Sequence, residues 1–254
     1  MFDFHCHIIY GVDDGAKTLE DSLKMIQEAK KVGFSDIILT PHYIPEYYES
    51  NAEEIKNKIT EIQKSGIDPE VHLYQGNELY AYEDLAMLIE QKQASSIADT
   101  RYVLFELPMH NEILDISPMI YNLLESRYIP IIAHPERYSY MQKDPNKVLS
   151  WIEEGALLQA NYGSIVGLYG KEAKNTVIKM LKHQMIHFLG SDCHRPNSIY
   201  PRIPEMLGEL NKVITKEELY RLTTKNAEDI LNGNIIEIPE PQKIEESFFK
   251  KFFK

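Results

Sequence analysis

Two histidines two residues apart, His5 and His7, open the chain in FDFHCHII, and ligand-like side chains recur wherever a later apolar run ends. His42 follows ILTP, Glu78 follows YQGN, Glu106 follows VLF, His134 follows IIA, and Asp192 and His194 follow FLGS. Residues i and i+2 of a strand share a face, so His5 with His7, and Asp192 with His194, form same-face pairs. A single pair could be core histidines satisfied by their neighbours. Imidazoles and carboxylates at the ends of six strands instead predict ligands for divalent metal ions. Mixed nitrogen and oxygen donors suit Zn, Mn or Fe better than the all-oxygen surroundings of Ca or Mg. The chain has no set of thiolates, which argues against a structural zinc cluster.

Other residues near these positions refine the picture. Asp13 and Asp14, in GVDDG, lie on the loop after the first strand, and at least one is expected to join the ligands. Cys6 and Cys193 alternate with proposed ligands, so their thiols should face away as small buried hydrophobes. Neither has an Arg six positions on, as a phosphate loop with a cysteine nucleophile requires. Arg137 follows His134 in HPERY, Arg195 follows His194, and Arg202 lies slightly further on. A guanidinium beside a metal cluster suits bidentate phosphate recognition. Arg137 is the first choice for that role; between Arg195 and Arg202 the spacing does not decide.

The elements that must position these groups are legible as alternation. Apolar or β-branched runs predict strands near 2–8, 36–41, 71–76, 102–107, 129–133, 156–160 and 186–190. Amphipathic patterns predict helices near 52–64, 83–92, 117–126, 145–154 and 171–183, and an earlier one capped by Thr18 with Asp21 in its first turn. Seven β/α alternations without a composition break predict one α/β domain, a parallel barrel with its site at the C-terminal mouth, with an open doubly wound sheet as the alternative. Thr215 with Glu218 has capping-box spacing, and Asn226 is a further candidate cap. We expect the barrel to occupy 1–237. Residues 238–254 would form a linker, IPEPQK, and an amphipathic tail rich in Phe and Lys.

Composition narrows the function classes. A net charge of −12 lacks the basic footprint that nucleic acid needs, so no nucleic-acid partner is expected. No glycine-rich phosphate loop is present, which disfavours a nucleotide cofactor. Two isolated cysteines, no signal-peptide pattern and no long apolar run predict a cytoplasmic protein. The tail, Ile244–Lys254, could rest on the inner face of an anionic membrane or pack on the barrel or a second subunit of a homo-oligomer.

FDFHCHIIYGVDDGAKT, TPHY, GNE, AHPERY and GSDCH, in this order over about the first 200 residues, resemble the polymerase and histidinol phosphatase (PHP) superfamily. Within it they resemble the bacterial manganese-dependent protein-tyrosine phosphatases of capsule and exopolysaccharide loci. The resemblance implies a distorted (β/α)7 TIM-like barrel with three divalent metal ions at its mouth, foremost Mn, with Zn, Fe or Mg as substitutes. It implies that His5, His7, Glu106 and Asp192 surround one ion and that Glu106 bridges to a second, which also takes His134. His42, Glu78, His194 and an aspartate of the DDG loop would take the third. Arg137 matches the family's phosphate-binding arginine; the local spacing after Asp192 differs from the family pattern. The implied reaction is hydrolysis of phosphotyrosine by a metal-activated hydroxide, on a bacterial tyrosine kinase that controls polysaccharide assembly. Histidinol phosphate or another small phosphoester is the rival substrate, and a non-catalytic metal-stabilised binding module is the rival class.

Overall fold

The computed structural model describes residues 1–82 and 84–245. Nine strands form in chain order: β1 (Phe2–Cys6), β2 (Asp36–Leu39), β3 (His42–Tyr43), β4 (His72–Gln75), β5 (Glu78–Tyr80), β6 (Tyr102–Glu106), β7 (Ile129–Ala133), β8 (Leu157–Asn161) and β9 (Phe188–Gly190). All named pairings are parallel. Their order is β1-β2-β4 in one sheet and β3-β5-β6-β7-β8-β9 in the other. β2 and β4 fall within the predicted strands 36–41 and 71–76, and β3 and β5 resume the sheet just past their ends, so the seven predicted strands are present.

The breaks have a local cause. Pro41 cannot donate to a ladder, and its carbonyl accepts from the Glu78 backbone N–H at 3.0 Å and from Asn77 Nδ2 at 3.1 Å. Upstream, the Thr40 N–H donates to the Cys6 carbonyl at 2.9 Å. The sheet therefore continues past each break while His42 and Glu78 sit on its upper part. The barrel closes between last and first strands: the His7 N–H donates to the Cys193 carbonyl at 3.0 Å, and the Asp192 N–H to the His5 carbonyl at 2.8 Å.

The first strand holds a departure from simple alternation. Asp3 pairs with Ile37 but Cys6 with Leu39, so β1 carries one residue more than β2 between those points, a β-bulge. Phe2 and Phe4 consequently pack inside the barrel with Ile38, Leu104, Ile131, Leu157 and Phe188. Beyond the bulge His5 also faces the mouth, while Cys6 joins the cluster between sheet and helices. Asp3, a residue the alternation would place with the histidines, accepts from Ser191 Oγ at 2.6 Å and Tyr200 Oη at 2.7 Å.

Helices cover the outer face. The helix Leu19–Lys31 has the expected Thr18–Asp21 cap, as a reciprocal capping box, and buries Met25, Ile26 and Ala29. Ala52–Lys64, Ser117–Glu125 and Lys171–Lys182 lie within a residue of the predicted spans. Thr215 and Glu218 form the second capping box. Asn226 is not a cap: helix continues from Lys216 to Leu231 through a π-helical turn at Arg221–Lys225. Its side chain instead donates to the His187 carbonyl at 2.7 Å, and Ala227 and Ile230 close the barrel floor.

Residues 234–245 carry no helix or strand but are anchored, with Ile236 buried and Ile244 N–H donating to Asn146 Oδ1 at 2.8 Å. The Phe/Lys tail beyond Glu245 lies outside the described residues. No helix among the described residues is long and apolar enough to cross a membrane.

Candidate metal centre

Each strand end delivers its polar residue to one buried space. His5 Nε2 and His7 Nε2 stand 3.1 Å apart. Glu78 Oε2 lies 3.1 Å from His5 Nε2, 3.3 Å from His7 Nε2 and 3.1 Å from His42 Nδ1, while its Oε1 is 2.8 Å from His134 Nε2. Asp192 Oδ1 is 3.5 Å from His7 Nε2 and 3.4 Å from His194 Nδ1. Glu106 reaches His42 Nδ1 at 3.4 Å and His134 Nε2 at 3.9 Å. Glu78 thus occupies the centre that the resemblance assigns to Glu106, and both carboxylates border the space between His42 and His134.

The DDG loop splits its two acids. Asp14 faces out of the loop, 3.4 Å from His194 Nε2 and 3.7 Å from His42 Nε2. Asp13 is buried behind His7, taking its Nδ1 at 2.8 Å and the His42 N–H at 2.9 Å. Gly15 permits this fold-back, because a Cβ there would lie 2.2 Å from the His7 carbonyl oxygen.

The hydrogen-bond network fixes which way the imidazoles point. Gln159 Nε2 donates to the Ala160 carbonyl and to Asn161 Oδ1, so its Oε1 is the acceptor 2.9 Å from His5 Nδ1. His5 therefore donates from Nδ1, and its neutral form presents a lone pair at Nε2. Asp13 imposes the same tautomer on His7. In the neutral forms two lone pairs face each other at 3.1 Å, an arrangement that a cation between or beside them resolves. His42 Nδ1 and Glu78 Oε2 are likewise buried without a hydrogen-bond partner.

Charge tells the same story. Burial, then Glu78 and Asp192, push Glu106 up to about 9, because three carboxylates cannot all ionise in one dry space. Burial pushes His42 down to about 4, so its imidazole is neutral and free to coordinate. Burial opposes ionisation of Glu78 too, but His5 and His42 hold it well below the usual carboxylate range. Four overlapping groups have ligand atoms within 4.8 Å of one another: His7/Asp14/His42/His194, His5/Glu78/His134, His5/His7/Asp192 and His42/Glu78/Glu106. The donor set fits hard or borderline divalent ions.

Of the three arginines, Arg137 alone reaches the cluster among the described residues. Its Nη1 donates to Asp192 Oδ2 at 2.5 Å. Arg195 is exposed, with its carbonyl taken by Ser198 Oγ, and the Arg202 guanidinium lies 3.1 Å from Glu205 one turn along. The sequence reading passed over Gln159 and Asn161, whose Nδ2 donates to Asp192 Oδ2 at 2.6 Å. Their i, i+2 spacing in LLQAN was the available signal, the same one that marked HCH and DCH.

A tyrosine-protein phosphatase of Bacillus subtilis, YwqE, is 31% identical over 255 residues, spanning all of both chains. The tyrosine-protein phosphatase CpsB of Streptococcus agalactiae is 29% identical over 243 residues, covering 93% of this chain and all of its own. Among solved structures, one from a study of YwqE and Streptococcus pneumoniae CpsB, described as metal-dependent tyrosine phosphatases, superposes with a TM-score of 0.89. Its identity is 32%, over 97% of this chain and 100% of that one. A histidinol phosphate phosphatase of Lactococcus lactis shares the fold at a TM-score of 0.55 and 14% identity, over 84% of this chain and 93% of that one. The profile of the capsular polysaccharide synthesis family CpsB/CapC matches residues 1–232, and the chain belongs to that family.

Proposed function

We propose that this protein is a metal-dependent protein-tyrosine phosphatase, a phosphoric monoester hydrolase acting on phosphotyrosine in a protein. The observation that carries the reading is the convergence of His5 and His7 lone pairs with Glu78, Glu106 and Asp192 beside the Arg137 guanidinium. His5, His7, His42, His134, His194, Asp14, Glu78, Glu106 and Asp192 would hold the ions, which we read as three and foremost manganese. Such ions supply Lewis acidity and bring the pKa of water near neutrality.

The chain's own residues do the rest. Asp13 and Gln159 keep the His7 and His5 tautomers that leave Nε2 free. Arg137 makes no other side-chain hydrogen bond among the described residues, so most of its N–H groups remain for phosphoryl oxygens. Placed there, it stabilises the charge that spreads over those oxygens during displacement. A tyrosinate leaves readily because its pKa is about 10, which lessens the demand for a general acid.

The relatives' names support the substrate class, and the capsule family supports a tyrosine kinase of polysaccharide assembly as the partner. We place the reaction in the cytoplasm, near the membrane that would hold such a kinase. The test is hydrolysis of a phosphotyrosine peptide by metal-stripped protein re-supplied with Mn, Zn or Mg, run beside histidinol phosphate. Restoration by Mn on the peptide, lost in Arg137→Ala, is the expected result. Turnover of histidinol phosphate alone would move the substrate to a small phosphoester, and silence on both would leave a metal-stabilised binding module.

A further inference from the structure

Arg137 is held by more than its ion pair. Its guanidinium carbon sits 4.4 Å from the centroid of the Tyr169 ring, so one face of the cation is covered by an aromatic plane. With Nη1 committed to Asp192, two contacts define where the remaining N–H groups point.

The turn that carries Tyr169 is built for this contact. Gly167 and Gly170, on either side of it in GLYG, both have positive φ, 83° and 95°. The Leu168 N–H donates to the Gly163 carbonyl at 3.1 Å, and the Gly170 N–H to the Gly167 carbonyl at 3.1 Å. These bonds fold the turn back over the short helix Tyr162–Ile165. Gly163 leaves the room: a Cβ there would lie 3.0 Å from Tyr169 Cε2. Burial, with Asp192 nearby, raises the Tyr169 phenol above its ordinary range, so the ring stays neutral and its face electron-rich toward the cation.

We propose that Tyr169 is a positioning residue for phosphate recognition, acting through Arg137 by holding the guanidinium plane toward the incoming phosphoryl group. This rests on Arg137 binding phosphate, as proposed above. Arginine is suited to planar, two-pronged recognition only when its plane is held; an unrestrained side chain would spend its binding on ordering itself.

The experiment measures the inhibition constant for inorganic phosphate, with KM and kcat for p-nitrophenyl phosphate, on the Mn-loaded full chain. Tyr169→Leu should raise the phosphate inhibition constant and KM about three- to tenfold, with metal content unchanged. Tyr169→Phe keeps the ring and should stay within about twofold. In an Arg137→Ala background, Tyr169→Leu should add nothing. If Tyr169→Leu does not fold, Gly163→Ala, whose Cβ would press on Tyr169 Cε2 and Leu168 Cδ1, should shift the same constants. An unchanged constant in Tyr169→Leu or Gly163→Ala, with Arg137→Ala impaired, overturns the role of Tyr169. Undiminished loss in the Arg137→Ala background does so too. An unchanged constant in Arg137→Ala itself would instead remove phosphate binding from Arg137.

Discussion

The floor and the mouth of this barrel are lined by the same strands, yet they obey opposite rules. At the floor, Phe4 stacks on Phe188 with ring centroids 4.1 Å apart, and Ile38, Leu104, Ile131 and Leu157 fill the remaining space. That layer satisfies itself, since apolar contact needs no partner from outside. One residue beyond Phe4 stands His5, and two beyond Leu104 and Leu157 stand Glu106 and Gln159, among groups that repel one another or lack partners. The mouth is complete only with cations. One fold therefore keeps its stability and its chemistry a single layer apart.

The largest effects should come from breaking the mouth at its centre. Glu78→Gln removes the charge that faces four imidazoles. Activity on a phosphotyrosine peptide should fall by more than the roughly 100-fold typical of losing an outer-sphere partner. Thermal unfolding of the metal-free variant should occur below that of the metal-free parent, because the imidazoles that hold Glu78 ionised lose their partner. A variant retaining a tenth of the activity would move the centre of the cluster elsewhere, with Glu106 the first alternative.

At the floor the balance reverses. Phe188→Ala should cost about 3–5 kcal/mol of unfolding free energy, read by denaturant titration, while the folded fraction binds Mn as before. Loss of Mn affinity without loss of stability would mean that the two layers are not separate. A step smaller is Gln159→Leu, which removes the acceptor for His5 Nδ1. Mn affinity, measured by competition with a chelator, should weaken about 10- to 100-fold; unchanged affinity would show that His5 needs no orientation.

The smallest effect distinguishes the layers by pH. His187 is buried at the start of β9, its Nδ1 accepting from the Leu158 N–H at 3.0 Å. Burial, with Arg221 nearby, pushes its pKa down to about 3. The unfolded chain binds that proton near pH 6.5 and the fold does not, so stability is full above that value and declines as pH falls toward 3. At pH 5.5 the loss should be about 1.4 kcal/mol. His187→Gln should flatten this part of the metal-free stability profile; an identical slope would assign the acid sensitivity to another group.

Much of this was readable before folding because strand geometry repeats every two residues. HCH and DCH announce same-face pairs, and each lone His or Glu closes an apolar run, so eight mouth residues were legible by type and place. Gln159 and Asn161 obey the same spacing but are neutral amides, common in any strand, and carried no chemical signal. Arg202 shows the converse: it lies near a ligand motif in the chain, yet its guanidinium turns to Glu205 on its own helix.

The chain by itself determined the alternation, the ligand types and the end of the barrel where they gather, since these depend on residue spacing and local propensity. Three things awaited tertiary structure. The bulge in β1 lets Phe4 and His5, neighbours in sequence, both face inward. Asp13 turns behind His7 while Asp14 turns toward His42 and His194, because Gly15 folds the loop onto the His7 carbonyl. Tyr169 comes to lie over Arg137 although 31 residues intervene between them. Each is a meeting of groups distant in the chain or a choice between neighbours of equal chemistry, and local spacing carries no information about either.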